Sequence, residues 1–183
     1  SWTALVSGVA TALNVFDVRN INEWFVGGAS GVMKKYDNGV ISTVTLPGAL
    51  VAATIKTIAH PFAPTGFTRD ETLYIGATTG TVYKSNDNGV TWVLYEYPDD
   101  GAGEVAKLAF TGFMGQVLYI LHKTAGGAGI LKRDWSGGVG GTTNVEAVVV
   151  PTNSGLNDLV ILDPNLAVAV GNVHAASDMI VRV

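Results

Sequence analysis

The chain contains no cysteine. That excludes a disulfide framework and thiolate chemistry. Charge is also scarce: 14% of the 183 residues are charged, and the formal net charge is −4. A nucleic-acid partner needs a basic face to neutralise phosphates, so none is expected. No apolar run reaches the roughly 18 residues of a membrane helix. The longest candidate, 159–170, is interrupted by Asp163-Pro164, and membrane insertion is not expected. Amphipathic helical spacing free of glycine is missing as well, so no helix is expected. The one stretch that could make a helical turn is Leu50-Val51-Ala52-Ala53-Thr54-Ile55. An initiator methionine is lacking before Ser1-Trp2, which reads as a chain processed or cut from something longer.

What is present favours strands. Hydrophobic residues make up 48% of the chain, with 23 glycines and abundant Val and Thr. The same order recurs: strand, strand, turn, strand, Asn/Asp/Gly turn, strand. The four copies span about 12–47, 54–98, 105–151 and 158–183, and the last lacks its fourth strand. Val26, Ile75, Ile120 and Val170 mark equivalent points. A period of about 45 residues with four strands each is that of a propeller blade. Residues 1–7 fit the vacant strand, since Ser1-Trp2 aligns with Thr91-Trp92. The expected fold is all-β, a single domain over 1–183 with four four-stranded blades. The N-terminal strand closes the last blade, which removes exposed sheet edges. The alternative is a partial array cut from a larger propeller.

The stretch Ser85-Asn86-Asp87-Asn88-Gly89-Val90-Thr91-Trp92 lies between two of these strands. Asx side chains bond their own backbone and Gly accepts positive φ, so it is a tight turn. Its spacing, Ser-x-Asp-x-Gly-x-Thr-Trp, resembles the Asp box of BNR-type β-propellers such as sialidases, sortilins and xyloglucanases. The resemblance implies a structural role for Ser85, Asp87, Gly89 and Trp92, on the rim away from any ligand. Asp37-Asn38-Gly39 is a degenerate copy, and Asp134-Trp135-Ser136-Gly137 has drifted further. In that family a ligand meets the loops between second and third strands and those linking blades. Here these are 77–80, 123–129, 171–178, 98–104 and 151–157. Their polar residues are Asp99, Asp100, Glu104, His122, Lys123, Asn153, Asn157 and His174, the candidate ligand-face set.

Catalytic constellations are hard to assemble. Gly101-Ala102-Gly103-Glu104-Val105-Ala106 matches the dinucleotide fingerprint only formally, because a strand follows it instead of a helix. Gly28-Ala29-Ser30-Gly31 has the wrong spacing for a nucleophile elbow. His60, His122 and His174 lack metal-ligand spacing, so neither metal nor cofactor is expected. Asp99, Asp100 and Glu104 read as a solvated acidic loop. The arginine triad that a sialidase resemblance would imply cannot be built. Arg19 and Arg69 fall in loops on the Asp-box rim. Arg133 and Arg182 join Lys34, Lys35, Lys84 and Lys132 in what reads as a solvated basic stripe. The expected function is therefore a non-catalytic binding or structural module with a protein or glycan partner, or a homo-oligomer. Its composition suits a surface component of a virion or other large assembly, extracellular or at the virion surface. The alternatives are a fragment of a glycan-acting, sialidase- or glucanase-like hydrolase, and an assembly factor docking on a protein.

Overall fold

The computed structural model describes residues 11–61, 71–96, 103–110, 117–124, 127–134, 143–144, 155–163, 166–173 and 177–182. Sheet one holds β1 (Leu13–Asn20), β2 (Glu23–Gly28), β3 (Met33–Asp37) and β4 (Val40–Thr43). Sheet two holds β5 (Ile55–Ala59), β6 (Leu73–Ala77), β7 (Val82–Ser85) and β8 (Val93–Glu96). Sheet three holds β9 (Glu104–Phe110), β10 (Val117–Thr124), β11 (Gly127–Asp134) and β12 (Thr143–Asn144). Sheet four holds β13 (Gly155–Asp163), β14 (Leu166–Val173) and β15 (Ser177–Arg182). Each sheet is an antiparallel meander in chain order. Contacts between sheets run β1 to β5, β5 to β9 and β9 to β13, so the first strands line a common inner edge.

The core lies in the seams between sheets. β6 is buried along its whole length, because it has a neighbour on both faces. Leu73 and Ile75 join Phe25, Met33 and Ile55 between sheets one and two. Tyr74, pointing the other way, joins Val82, Val105, Leu118 and Ile120 between sheets two and three. Each fully buried Leu, Ile or Phe contributes about 1.5–3 kcal/mol relative to exposure.

Two glycines set how closely the sheets approach. A Cβ on Gly27 would lie 2.8 Å from Ile55 Cγ2, and one on Gly76 would lie 2.4 Å from Val105 Cγ1. Gly27 and Gly76 hold the same place in β2 and β6, paired with Val15 and Thr57 respectively. Ile55 and Val105 hold the same place in the next first strand. In β10 the place is taken by Leu121, which is fully buried. At the third seam the first-strand place, just before the register shift, falls to Leu156, paired with Gly171 as Ile55 is with Ala77. At the first two seams one partner is thus small and the other large.

The repeat read from the sequence corresponds to these sheets, with strand ends shifted by a few residues. No helical turn forms at Leu50–Ile55, the one stretch that could have made one; a single 3-10 turn precedes it at Gly48–Leu50. Pro47 fixes its start, Leu50 plugs the first seam, and Ile55 already opens β5. Among the described residues no helix is long and apolar enough to cross a membrane. The closing strand expected from residues 1–7, the strand expected at 145–151 and the turn at Trp135 lie outside the described residues.

Gly76→Ala should lower unfolding free energy by about 1–3 kcal/mol, the usual cost of overpacking. Urea denaturation checks this. An unchanged midpoint would show that the seam at Val105 has slack.

Candidate functional site

Every first strand carries a β-bulge at the same point. The register slips between Leu13 and Val15, Ile55 and Thr57, Val105 and Lys107, and Leu156 and Asp158. The extra residues are Asn14, Lys56, Ala106 and Asn157. A bulge bends its strand and re-aims the side chains beside it, and bulges are enriched next to functional sites. Below them β1, β5, β9 and β13 line a cavity of about 490 Å³. Its wall includes Asp17, Lys56, His60, Lys107 and Asp158.

Polar side-chain pairs cross each seam along this wall. His60 contacts Asp17 through Nδ1, joining sheets two and one. His60 is buried, and its ring lies 5.3 Å from that of Phe25. With Nδ1–H donated to Asp17, Nε2 has no hydrogen-bond partner among the described residues. Lys56 Nζ lies 3.1 Å from Glu104 Oε2, joining sheets two and three. Lys123 Nζ approaches the other oxygen of Glu104 at 3.7 Å. Lys107 Nζ lies 3.0 Å from Asp158 Oδ1, joining sheets three and four. Burial pushes the Asp158 carboxyl up, but hydrogen bonds from Lys107 and the Leu159 N–H, with the Lys107 charge, hold it below the usual carboxylate range.

The candidate ligand-face residues are distributed unevenly. Glu104, His122 and Lys123 come together, because β10 pairs with β9 through Lys123–Glu104 and His122–Val105. They are strand residues, not the loop residues expected. β9 begins at Glu104, and β10 and β11 form a tight hairpin over the segment read as a loop at 123–129. Asn157 is also in a strand, β13, at its bulge. Asp99, Asp100, Asn153 and His174 lie outside the described residues. Among the described residues, no group of three or more His, Asp or Glu is placed to hold a metal. Asp17, Lys56, Lys107 and Asp158 were missed by sequence reading. Each stands alone in its own copy of the repeat and meets its partner only across a seam.

The opposite rim carries the Ser85–Trp92 turn. Ser85 Oγ donates to Asp87 Oδ1 at 2.7 Å and accepts from Gly89 N at 2.8 Å. Thr91 donates to Asp87 through both its N–H and its hydroxyl. Trp92 packs against the first core cluster. Asn88 has φ 58°, and Asn38 in the shorter turn of sheet one has φ 48°. The degenerate turn therefore keeps the left-handed backbone, with a side-chain bond from Asn38 Nδ2 to Asp37 Oδ1 at 2.8 Å in place of the Ser85–Asp87–Thr91 set. Asn88 Nδ2 also reaches across the seam to Glu23. Arg19 and Lys35 hold the same carboxylate, Lys35 at 2.8 Å. Burial raises the Glu23 pKa, but its bonds to Lys35, Asn88 and Arg19 outweigh that and lower it.

Two readings of basic residues need correction. Arg19 is in β1, not in a loop, because the strand runs on to Asn20. Lys35 and Lys84 are not a solvated stripe. Their ammonium groups sit 5.8 Å above the ring of Phe25 and 5.7 Å above that of Tyr74, in a repeated cation–π arrangement.

No protein-family model matches the chain, and no curated protein matches it. Solved structures do. The GH74 xyloglucanase from Xanthomonas campestris matches over 95% of this chain with TM-score 0.62 and 16% identity. This chain spans 28% of the length of that one. YCF48 bound to D1 peptide matches over 88% of this chain and 75% of its own, with TM-score 0.30 and 10% identity, and adds nothing to the assignment. The xyloglucanase likeness together with the four meanders makes this an all-β chain of propeller blades.

Hydrogen bonds from the Thr91 hydroxyl, the Thr91 N–H and Ser85 lower the Asp87 pKa to about 2. A depressed carboxylate stabilises the fold above its ordinary pKa. That contribution fades as pH falls from about 4 towards 2. NMR titration should show Asp87 near 2 and a higher midpoint in Thr91→Val. An ordinary midpoint in the wild-type chain would contradict the turn geometry.

Proposed function

We propose that the chain is a non-catalytic propeller module that binds a protein or glycan partner at the charged inner rim. The observation that carries this reading is the commitment of two rim carboxylates, Glu104 and Asp158, to lysines. A glycosidase needs one carboxyl with a raised pKa to protonate the leaving oxygen. Asp158 is shifted the other way by Lys107. Glu104 is bracketed by Lys56 and Lys123. These pairs are partly solvated, and such pairs are worth about 0–1 kcal/mol each. A ligand's own charged or hydroxyl groups can replace them at little cost, which suits reversible binding. The wall carries both signs of charge, so a neutral or zwitterionic surface fits it better than a polyanion. The low charge and the Gly, Ala, Val and Thr content suit a repeated component of an extracellular or virion-surface assembly.

A second reading is a segment of a glycan-acting hydrolase whose remaining residues come from further blades. What favours it is the xyloglucanase likeness, in which this chain corresponds to 28% of the larger one. One experiment separates the two. The chain is incubated with xyloglucan, a mixed-linkage glucan and a sialoside, and released sugars are measured. We expect no turnover above buffer. Cleavage that disappears in Asp158→Asn or Glu104→Gln would establish the hydrolase reading instead.

A further inference from the structure

The tetrapeptide Asp-Asn-Gly-Val occurs twice, at 37–40 and at 87–90. Asparagine is a thermolabile residue, and a following glycine lets the backbone nitrogen approach its side-chain carbonyl without steric hindrance. The immediate neighbours are identical in the two copies, so a difference in reactivity comes from the fold. Both turns share one backbone form. Asn38 and Asn88 have φ 48° and 58°, and Gly39 and Gly89 have φ 93° and 87°. Each Asn N–H donates to a carbonyl just ahead of the second strand, Asn22 O at 2.8 Å and Glu71 O at 3.0 Å.

The turns differ in what braces them. Gly89 is buried, its N–H is donated to Ser85 Oγ at 2.8 Å, and a Cβ there would lie 3.4 Å from the Phe25 ring. Asn88 Nδ2 is held by Glu23 across the seam. In the first turn Lys35 stands where Ser85 stands in the second, so the Gly39 N–H has no such hydroxyl to bind. Gly39 is exposed, and a Cβ there would meet nothing within 4 Å. The Asn38 amide makes an exposed bond to Asp37 within its own turn. β4, which this turn feeds, is exposed along its whole length.

We propose that Asn38 is a site of spontaneous deamidation and that the Ser85–Trp92 turn protects Asn88 from the same reaction. The Gly39 nitrogen attacks Asn38 Cγ. A new C–N bond forms, the Cγ–Nδ2 bond breaks, and ammonia leaves with the Gly39 amide proton. Water then opens the resulting succinimide at either carbonyl, which gives aspartate or isoaspartate at position 38. No electrons are exchanged, and water is the co-reactant. Ring closure requires the turn to open, which the seam opposes at Asn88. The product places a second carboxylate beside Asp37, whose Oδ2 lies 3.2 Å from Lys35 Nζ. Isoaspartate also lengthens the main chain of the two-residue loop that sets the β3–β4 register.

The test holds the chain at mildly alkaline pH, natively and in urea, and follows it by tryptic peptide mass spectrometry with fragmentation to locate the site. Cleavage after Lys35, Lys56, Lys84 and Lys107 puts the two asparagines on separate peptides, 36–56 and 85–107. In urea both are expected to gain the mass of an amide-to-carboxyl exchange at equal rates. In the native chain Asn38 is expected to react at least about tenfold faster than Asn88, because Asn88 waits for its turn to open. Equal native rates, or a native Asn38 that stays intact while the urea sample reacts, would overturn the proposal. Ser85→Ala removes the acceptor of the Gly89 N–H. It is expected to raise the native rate at Asn88 and leave that at Asn38 unchanged, with unchanged circular dichroism. A folded Ser85→Ala chain whose Asn88 reacts no faster than in the wild type would also overturn it.

Discussion

Sheet-to-sheet approach governs this molecule. A four-stranded meander of this size cannot hide both faces alone, so each sheet must lie against the next. The distance is set where one first strand crosses the second strand before it. Gly27 faces Ile55 there, and Gly76 faces Val105, each without room for a methyl group. The bulges follow from the same demand. They bend the first strand after its entry, and they recur at Asn14, Lys56, Ala106 and Asn157. Function inherits this arrangement, because the charged wall consists of residues on either side of the bulges.

Much of the fold was legible in the sequence. Alternation of apolar residues marks the strands. Asn38-Gly39 and Asn88-Gly89 mark turns, because both positions require positive φ. The Ser85, Asp87 and Thr91 bonds are local, spanning at most four residues, so spacing alone predicts them. The seam glycines could also have been found, since Gly27 and Gly76 recur with the blade. Their meaning needed the facing residue, which lies in the next copy.

The inner wall was not legible, for a related reason. Asp17 and His60 are 43 residues apart and join through no motif. Lys56 and Glu104, or Lys107 and Asp158, are equally distant in the chain and equally plain in their own segments. Reading polar residues in expected loops found Glu104, His122 and Lys123 but misplaced them, because the β10–β11 hairpin is tighter than its glycines suggest. The lysines were misread for a similar cause. A lysine on a third strand looks solvated until the aromatic ring on the neighbouring strand is known.

The account rests on size complementarity at the seams, and a double-mutant cycle at the second seam tests it most directly. Gly76→Leu with Val105→Gly would exchange the small and the large partner there. Stability of the wild type, the two single variants and the double variant would be measured by chemical denaturation. The account predicts that the double variant is more stable than Gly76→Leu alone, with a coupling energy of about 1–3 kcal/mol. Purely additive losses would contradict it.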